Sequence, residues 1–297
     1  MMRNKNFVAL ILTHGRPDRV ITYKALKKAG YTGPILIVID DEDETAEKYR
    51  ELYGEEVVQF SKKEIARDFD EADNFGDRRS IFYARNASFD IAKAFGADYF
   101  IQLDDDYTDF RYKFFNDFRY GDKTVRNLDA IFDLYLDFLI RSRAKAVAMS
   151  QGGDFIGGAM STTANAVKTK RKAMNTFFCS TKNRFPFIGR INEDVNTYTH
   201  LGSQGNLFLT ILSVGINQIQ TQANKGGMTE LYLDSGTYIK SFYSVIFQPS
   251  SVKIGTMGDE YKRLHHSINW RMTVPMILSE SWRKKSEEKK KAPNGKK

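Results

Sequence analysis

Two short, continuous apolar runs separated by a helical pattern constrain the fold of this chain most strongly. Residues 7–12 (FVALIL) and 35–39 (ILIVI) are each typical of a buried β-strand. Between them, residues 18–29 place apolar side chains at helical spacing, and Gly30 and Gly33 end the helix. Strand, helix and strand over residues 7–39 form the pattern of a βαβ unit. The sequence therefore predicts an α/β fold whose sheet is at least partly parallel.

A third apolar run, residues 99–103 (YFIQL), ends in three consecutive carboxylates, Asp104, Asp105 and Asp106. Adjacent anions repel one another and resist desolvation, and a hard divalent cation bound through oxygen ligands would compensate them. For such a triplet taken alone, a solvated acidic turn is the alternative interpretation.

The ends of the first two runs are polar as well. The first run leads into Thr13, His14 and Arg16, and the second ends at Asp40 and Asp41. In parallel sheets, ligands bind beyond the carboxyl ends of the strands, where these side chains would meet the acidic triplet. This convergence favours a metal and ligand site over a solvated turn.

A cluster of arginines opens the next predicted helix, which covers residues 78–95. Arg78, Arg79 and Arg85 lie in its first two turns. Because helix starts favour anions, arginines there indicate a negative partner. A nucleotide diphosphate and the neighbouring Asp-rich loops are the two candidates.

The segment from Phe155 to Asn192 contains no acidic residue. It carries seven basic ones: Lys168, Lys170, Arg171, Lys172, Lys182, Arg184 and Arg190. Four phenylalanines are interleaved with them: Phe177, Phe178, Phe185 and Phe187. Such a mixture suits a surface that neutralises phosphates and stacks on exposed bases. A strand pair with core phenylalanines and a solvated basic face explains the pattern equally well.

Composition excludes several classes of protein. The chain has 297 residues, 41% of them hydrophobic and 28% charged, and no apolar run long enough to span a bilayer. We expect no membrane partner, no signal peptide and a cytoplasmic location. The single Cys179 excludes an intramolecular disulfide and favours a reducing compartment.

Positive charge is concentrated at the end of the chain. The net charge is +8, and residues 283–297 contribute +6 of it, which leaves +2 for the rest. We predict that residues 281–297 form a basic disordered tail. Such a tail either contacts phosphates non-specifically or only increases solubility.

The remaining segments carry weaker patterns. Residues 61–77 are polar and acidic and predict a loop or lid, and residues 221–237 are Gly-rich and predict a flexible loop. Residues 127–140 predict an amphipathic helix, and residues 244–247 predict a late strand.

The order of these motifs resembles that of GT-A-fold glycosyltransferases that use nucleotide sugars. More narrowly, DRRSIFYARN (77–86) followed by FIQLDDD (100–106) is similar to the TET-associated glycosyltransferases, phage enzymes that glycosylate hydroxymethylpyrimidines in DNA. Within that family the chain looks most like the T-even-type phage enzymes that place arabinose on 5-hydroxymethylcytosine. The resemblance covers roughly residues 5–275. It implies a GT-A-like mixed sheet flanked by helices in residues 1–280, with a nucleotide-sugar half (about 1–110) and an acceptor half (about 111–280).

The resemblance also implies roles for particular residues. The metal, Mn²⁺ or Mg²⁺, would be bound by Asp104, Asp106 and one of His265 and His266. Contacts to the UDP-sugar would come from Thr13, His14, Arg16, Asp40, Arg78, Arg79, Arg85 and Asp105. Asp194, with Glu193 beside it, matches the acceptor-side catalytic position, and either carboxylate fits the role of base. DNA would contact Lys168, Lys170, Arg171, Lys172, Lys182 and Arg184.

The implied reaction is transfer of a sugar, with arabinose favoured and glucose next, from a UDP-sugar to 5-hydroxymethylcytosine in phage DNA. This modification would protect the DNA from nucleases in the host cytoplasm. The alternatives are a GT-A transferase acting on a glycan or protein, and a non-catalytic nucleic-acid-binding protein. A nucleotidyltransferase fits poorly, because THGRPDR (13–19) lacks the Gly-rich triphosphate loop of that class. The metal, the stereochemical outcome and the oligomeric state are left open by the sequence.

Overall fold

One mixed sheet contains all three apolar runs that the sequence identifies as strands. The computed structural model describes residues 6–69, 71, 76–161, 163, 164, 169–219, 234, 236, 238–257 and 262–273. The strands of the sheet are β1 (Phe7–Leu12), β2 (Ile35–Asp40), β3 (Val57–Phe60), β4 (Tyr99–Asp104), β5 (Tyr107–Phe114), β6 (Tyr120–Thr124), β7 (Ala146–Gln151), β8 (Thr169–Lys170), β9 (Phe177–Ser180) and β10 (Phe208–Gln218). A separate hairpin pairs β11 (Val252–Met257) with β12 (Arg263–Ile268).

Eight helices flank the sheet and the hairpin in the part of the chain that the structure describes. They are α1 (Ile21–Lys28), α2 (Ala46–Tyr53), α3 (Lys62–Asp68), α4 (Phe82–Ala94), α5 (Leu128–Ser142), α6 (Glu193–Ser203), α7 (Ile239–Phe247) and α8 (Trp270–Thr273). The predicted mixed α/β architecture is confirmed.

The order and direction of the strands place the ends that carry the candidate site residues at one edge of the sheet. The order is β3-β2-β1-β4-β9-β7-β10-β5-β6, with β8 paired to β10. β1 is parallel to both β2 and β4, and β7 is parallel to β10. Because β9 is antiparallel to both β4 and β7, those two strands run the same way. The carboxyl ends of β1, β2, β4, β7 and β10 therefore share one edge, which we call the carboxyl edge.

Both faces of the sheet are buried, which explains why its central strands are apolar without interruption. Alternate residues of β1 face opposite layers: Ile11 packs in a cluster with α1 and α5, and Leu10 packs in a cluster with α4 and α6. β9 joins the two predicted halves, since it pairs with β4 on one side and β7 on the other.

Several expected element boundaries are wrong. Residues 61–77, predicted as a loop, contain α3, and α4 begins at Phe82, so that Arg78 and Arg79 precede it. Residues 244–247, predicted as a strand, end the helix α7. A short apolar run does not distinguish a strand from part of a helix by periodicity alone. Of residues 221–237 only Asp234 and Gly236 are described, and residues 281–297, predicted as a tail, lie outside the described residues.

Candidate active site

The acidic triplet forms a fixed turn at the end of β4. Asp105 is 2% exposed, and its carboxylate accepts a hydrogen bond of 2.6 Å from Thr13 Oγ1 and lies 3.2 Å from a guanidinium nitrogen of Arg16. Thr22 Oγ1 donates to the carbonyl of Asp104 at 2.6 Å and accepts from the Tyr107 amide at 2.9 Å. These bonds hold the turn against the loop that follows β1.

Among the described residues, Asp106 lacks the ion-pair partner that its two neighbours have: Arg16 lies 3.2 Å from Asp105, and Arg85 lies 3.0 Å from Asp104. Burial, together with the neighbouring Asp104 and Asp105, raises the pKa of Asp106 to about 7. Burial also raises the pKa of Asp105, although Arg16 and Thr13 oppose this. Three clustered carboxylates, one of which has no arginine partner, fit a hard divalent cation such as Mg²⁺ or Mn²⁺.

The histidine pair lies on β12, in the separate hairpin. The rings of His265 and His266 are 4.2 Å apart, and His266 Nδ1 is 3.4 Å from the side-chain nitrogen of Asn192. Burial and His265 lower the pKa of His266 to about 4, which keeps its imidazole neutral. Within the described residues no group of three His, Cys, Asp or Glu is placed to hold a metal ion. The described conformation therefore does not assemble Asp104, Asp106 and a histidine into one ligand set, and the histidine ligand stays a prediction.

The four residues expected to contact uridine are brought together. His14 Nδ1 lies 2.7 Å from Asp40, whose other oxygen is 3.0 Å from Lys62 Nζ. Burial opposes ionisation of Asp40, but His14 and Lys62 outweigh it and hold its pKa below the ordinary value. The Tyr49 hydroxyl bonds to Thr13 Oγ1 at 2.8 Å and accepts from the Arg16 amide at 2.9 Å.

Sequence reasoning did not identify Tyr49, Lys62 or Asp43 as parts of this group. Asp43 accepts a hydrogen bond of 2.7 Å from the Gly15 amide. Tyr49 and Lys62 lie on α2 and α3, and nothing in their local patterns distinguishes them from ordinary helix residues. A tyrosine and a lysine that are almost fully buried become apparent only in the fold.

Arg78 and Arg79 lie in the loop before α4 and have acidic partners. Arg78 is 3.5 Å from Glu42, and Arg79 pairs at 2.9 Å with Asp77 and with Asp234. These partners belong to the neighbouring Asp-rich loops. The sequence left such loops and a nucleotide diphosphate as the two candidate partners of the arginines.

Arg85, which was expected to contact the UDP-sugar, lies in the interior of the protein. It is 2% exposed, so it is buried rather than open to a donor diphosphate. Its guanidinium donates to Glu193 at 2.8 Å, to Asp104 at 3.0 Å and to Gln102 at 3.4 Å. It also lies over the ring of Phe177 at 4.8 Å. Burial would lower the pKa of Arg85, but Asp104 and Glu193 raise it above its ordinary value. Arg85 therefore links the acidic turn to α6.

The Glu193-Asp194 pair begins α6, where a helix N-terminus favours negative charge. Asn192 precedes it with φ of 59°, in the left-handed region that asparagine tolerates better than most residues. Glu193 is bound to Arg85, whereas Asp194 accepts a hydrogen bond of 2.7 Å from the Val195 amide. Burial and the adjacent Glu193 raise the pKa of Asp194 to about 7. A carboxyl group with this pKa is suited to take a proton near neutral pH.

The acid-free segment does not form one basic and aromatic surface. Of the two alternatives that the sequence left open, core packing holds for its four phenylalanines, each 3% exposed or less: Phe177, Phe178, Phe185 and Phe187. Phe177 and Phe178 lie on β9, whose two faces are both covered, whereas Phe185 and Phe187 follow β9 and pack against Phe89 and Phe177.

The predicted DNA-binding residues fall at two separate places. Lys170 and Lys172 bind Asp154 at 3.0 and 2.7 Å, near the carboxyl edge, and Arg171 between them is exposed. Lys182 pairs with Asp98 and Arg184 with Asp90, beyond the start of β4. Since β4 rises ~3.3 Å per residue, this end is roughly 16 Å from Asp104. Lys182 and Arg184 therefore do not share a surface with the site, and Lys168 lies outside the described residues.

Comparison with known proteins identifies the family of this chain. The model of the TET-Associated Glycosyltransferase family matches residues 7–227. The chain belongs to this family. The prediction that the protein is a glycosyltransferase is thereby confirmed. A search of curated proteins found no match.

Solved structures of similar shape are distant. Glucosyl-3-phosphoglycerate synthase from Mycobacterium tuberculosis, in complex with Mg²⁺ and UDP, is 9% identical, with 89% of this chain and 88% of that chain covered and a TM-score of 0.43. S. aureus TarS 1-349 is 12% identical, with 82% and 65% covered and a TM-score of 0.41. Similarity at this level carries no information about the substrate. No helix in the described ranges combines the length and apolarity needed to cross a bilayer.

Proposed function

We propose that this TET-associated glycosyltransferase moves a sugar from a UDP-sugar to the hydroxymethyl group of 5-hydroxymethylcytosine in DNA, with arabinose the first candidate and glucose the second. Phage origin, action in the host cytoplasm and protection of the DNA from nucleases belong to the same proposal. The observation that carries it is the Arg85 bridge, which binds Asp104 at 3.0 Å and Glu193 at 2.8 Å. This bridge supports the proposal because it joins the carboxylate that we assign to the donor side to the one beside our proposed base.

The donor side is assigned to the loops after β1, β2 and β4. Thr13, His14, Arg16 and Asp40 would bind the uridine, and Asp105 would face its ribose or the sugar. Mg²⁺ in proteins is usually bound by one or two carboxylates together with substrate phosphates, so Asp104 and Asp106 suffice as the protein's contribution. When bound, the ion would stabilise the negative charge that develops on the departing diphosphate. His265 and His266 remain candidates for a further ligand.

Asp194 is assigned as the base on the acceptor side. Glu193 is occupied by Arg85, while the raised pKa of Asp194, about 7, gives it an appreciable proton affinity. The hydroxymethyl oxygen forms a bond to the anomeric carbon, the bond from that carbon to the diphosphate oxygen breaks, and the proton passes to Asp194. General base catalysis of this kind is typically worth ~10²–10⁴-fold.

The decisive experiment incubates DNA that contains 5-hydroxymethylcytosine with a panel of UDP-sugars and Mn²⁺ or Mg²⁺, digests the product and measures nucleoside masses. We expect a mass increase for UDP-arabinose, or for UDP-glucose, that disappears on chelation of the metal. No sugar on the DNA with any donor would refute the DNA acceptor.

The metal assignment is tested by Asp106→Asn. This change removes one of three crowded carboxylates, so we expect a folded protein that has lost metal-dependent UDP binding and transfer. Calorimetric titration of UDP with and without Mn²⁺ measures the effect. An unchanged midpoint of thermal unfolding shows that the variant is folded. Normal UDP affinity in the variant would rule out Asp106 as a ligand.

A glycan or protein acceptor is a second candidate, favoured by one observation. The lysines of the acid-free segment that lie near the site, Lys170 and Lys172, are partly neutralised by Asp154. Adding glycan and peptide acceptors to the same donor panel separates the two functions.

A further inference from the structure

The loop that follows β7 presents two large apolar side chains to solvent. Ile156 is 76% exposed and Met160 is 88% exposed. Between them, Gly157 and Gly158 have φ of 92° and 55°, a conformation that glycine adopts without steric cost. Exposed apolar side chains at a turn built by glycines contribute nothing to the core.

The loop is firmly anchored on the N-terminal side of this apolar tip. The Gln151 side chain accepts from the Asp154 amide, and Asp154 in turn accepts from the Gln151 amide at 3.1 Å. Asp154 also binds Lys170 and Lys172. Phe155 is buried, with its ring 5.4 Å from that of Tyr120. The position of Ile156 and Met160 is therefore set by a packed and ion-paired base.

The base of the loop is connected by hydrogen bonds to the acidic turn. Asn175 donates to Gln151 at 3.0 Å and to Gln218 at 2.8 Å, and the amide next to Gln218, that of Ile219, donates to the Asp106 carbonyl at 3.2 Å. The apolar tip thus follows a base that is connected to Asp106 through Asn175 and Gln218.

We propose that Ile156 and Met160 form a wedge that enters the base stack of duplex DNA and holds the target base in its extruded position. This inference rests on the proposed DNA acceptor. A base inside a duplex does not reach an enclosed site until it is flipped out, and apolar side chains fill the gap in the stack that it leaves. The surroundings favour this polyanion, since Arg171 is exposed nearby and residues 155–192 contain no acid. A glycan offers no stack for such side chains to enter.

The test compares three acceptors with one variant. In I156S/M160S, kcat/KM is measured on hydroxymethylated duplex, on the same strand alone, and on a duplex with an abasic site opposite the target. We expect a loss of about ten- to a hundredfold on the intact duplex, because the variant gives up burial of two large apolar side chains. Activity on the single strand should be unchanged, and the abasic duplex should recover most of the loss, since its target base is already unpaired.

Leu134→Ser is the matched control, because Leu134 is 63% exposed on α5, which packs on the sheet away from this loop. This control variant should keep its activity on all three acceptors. An unchanged ratio of duplex to single-strand activity in I156S/M160S overturns the wedge while transfer to DNA stands. An equal loss on both acceptors also overturns it, since the loop then acts on folding or chemistry. Lack of transfer by the wild type to any DNA refutes the proposed function, and the wedge with it.

Discussion

At the scale of single residues, Arg85 connects more of the site than any other described side chain. Its guanidinium is buried between Asp104 and Glu193 and lies against the ring of Phe177. A buried charge is tolerated only when it is paired, and here the pairing joins residues 108 positions apart in the chain. Arg85 thus fixes the position of α6 relative to the acidic turn.

We expect Arg85→Met to lower the free energy of unfolding by about 3–5 kcal/mol, because it leaves two carboxylates without their buried partner. Turnover should fall as well, and Arg85→Lys should restore part of both. Urea denaturation and kcat measure the two effects. The control is Arg79→Met, whose partners are partly exposed, with an expected change below about 1 kcal/mol. Equal stability of the Arg85 and Arg79 variants would show that Arg85 is not needed to compensate these carboxylates.

The pKa of Asp194, raised to about 7, predicts a pH dependence. A base acts in its deprotonated form, so kcat/KM should rise as pH increases through about 7 and then level off. Asp194→Asn should abolish this rise and lower turnover by ~10²–10⁴-fold, with UDP affinity retained. Glu193→Gln should keep the inflection, because it leaves Asp194 in place. If the inflection disappears only in Glu193→Gln, the base is Glu193.

At the scale of elements, β9 shows how the acid-free segment is used. Its rings lie at the centre of the sheet, and Phe178 packs against the rings of Phe7, Phe132 and Tyr135, with centroids 5.0 to 6.1 Å apart. The basic residues around β9 are therefore carried on the loops beside a core strand.

Phe178→Ala should lower the free energy of unfolding by about 3–5 kcal/mol, as expected for a fully buried phenylalanine. The change removes a ring with 0% exposure, and chemical denaturation measures its effect. Phe118→Ala, at a position that is 73% exposed, is the control and should change stability by less than about 0.5 kcal/mol. A small effect of Phe178→Ala would contradict the core position of β9.

At the scale of the whole molecule, sheet topology separates two basic regions. Arg171 lies with the lysines near the carboxyl edge, while Lys182 and Arg184 lie at the opposite end of β4 and β9. Only the first region is on the same side as the acidic turn and α6.

This separation predicts different salt dependences for DNA binding. Each phosphate contact contributes about 0.9 to the slope of log K against log salt concentration, so Arg171→Gln should reduce the slope by about that amount. The double change Lys182→Gln and Arg184→Gln should leave the slope unchanged. Titrations of duplex DNA at several salt concentrations measure both. A reduced slope in the double variant alone would place the DNA at the opposite edge.

Much of the fold and part of the site follow from local sequence. Apolar runs at residues 7–12, 35–39 and 99–103 specify strands with both faces buried. A strand with one face in solvent would instead alternate apolar and polar residues. Polar residues directly after these runs predict the carboxyl edge, where Thr13, His14, Arg16, Asp40 and the acidic triplet do meet. The motif order around residues 77–106 was sufficient for the family.

The tertiary structure alone decided which charges meet. Local patterns report periodicity and charge, but partners such as Arg85 with Glu193, or Lys62 with Asp40, depend on strand order and on helix packing across the sheet. For the same reason the sequence left open whether the phenylalanines of the basic segment were core or surface. The insertion of antiparallel β9 between β4 and β7 buried Phe177 and Phe178, and it carried Lys182 and Arg184 to the edge away from the site.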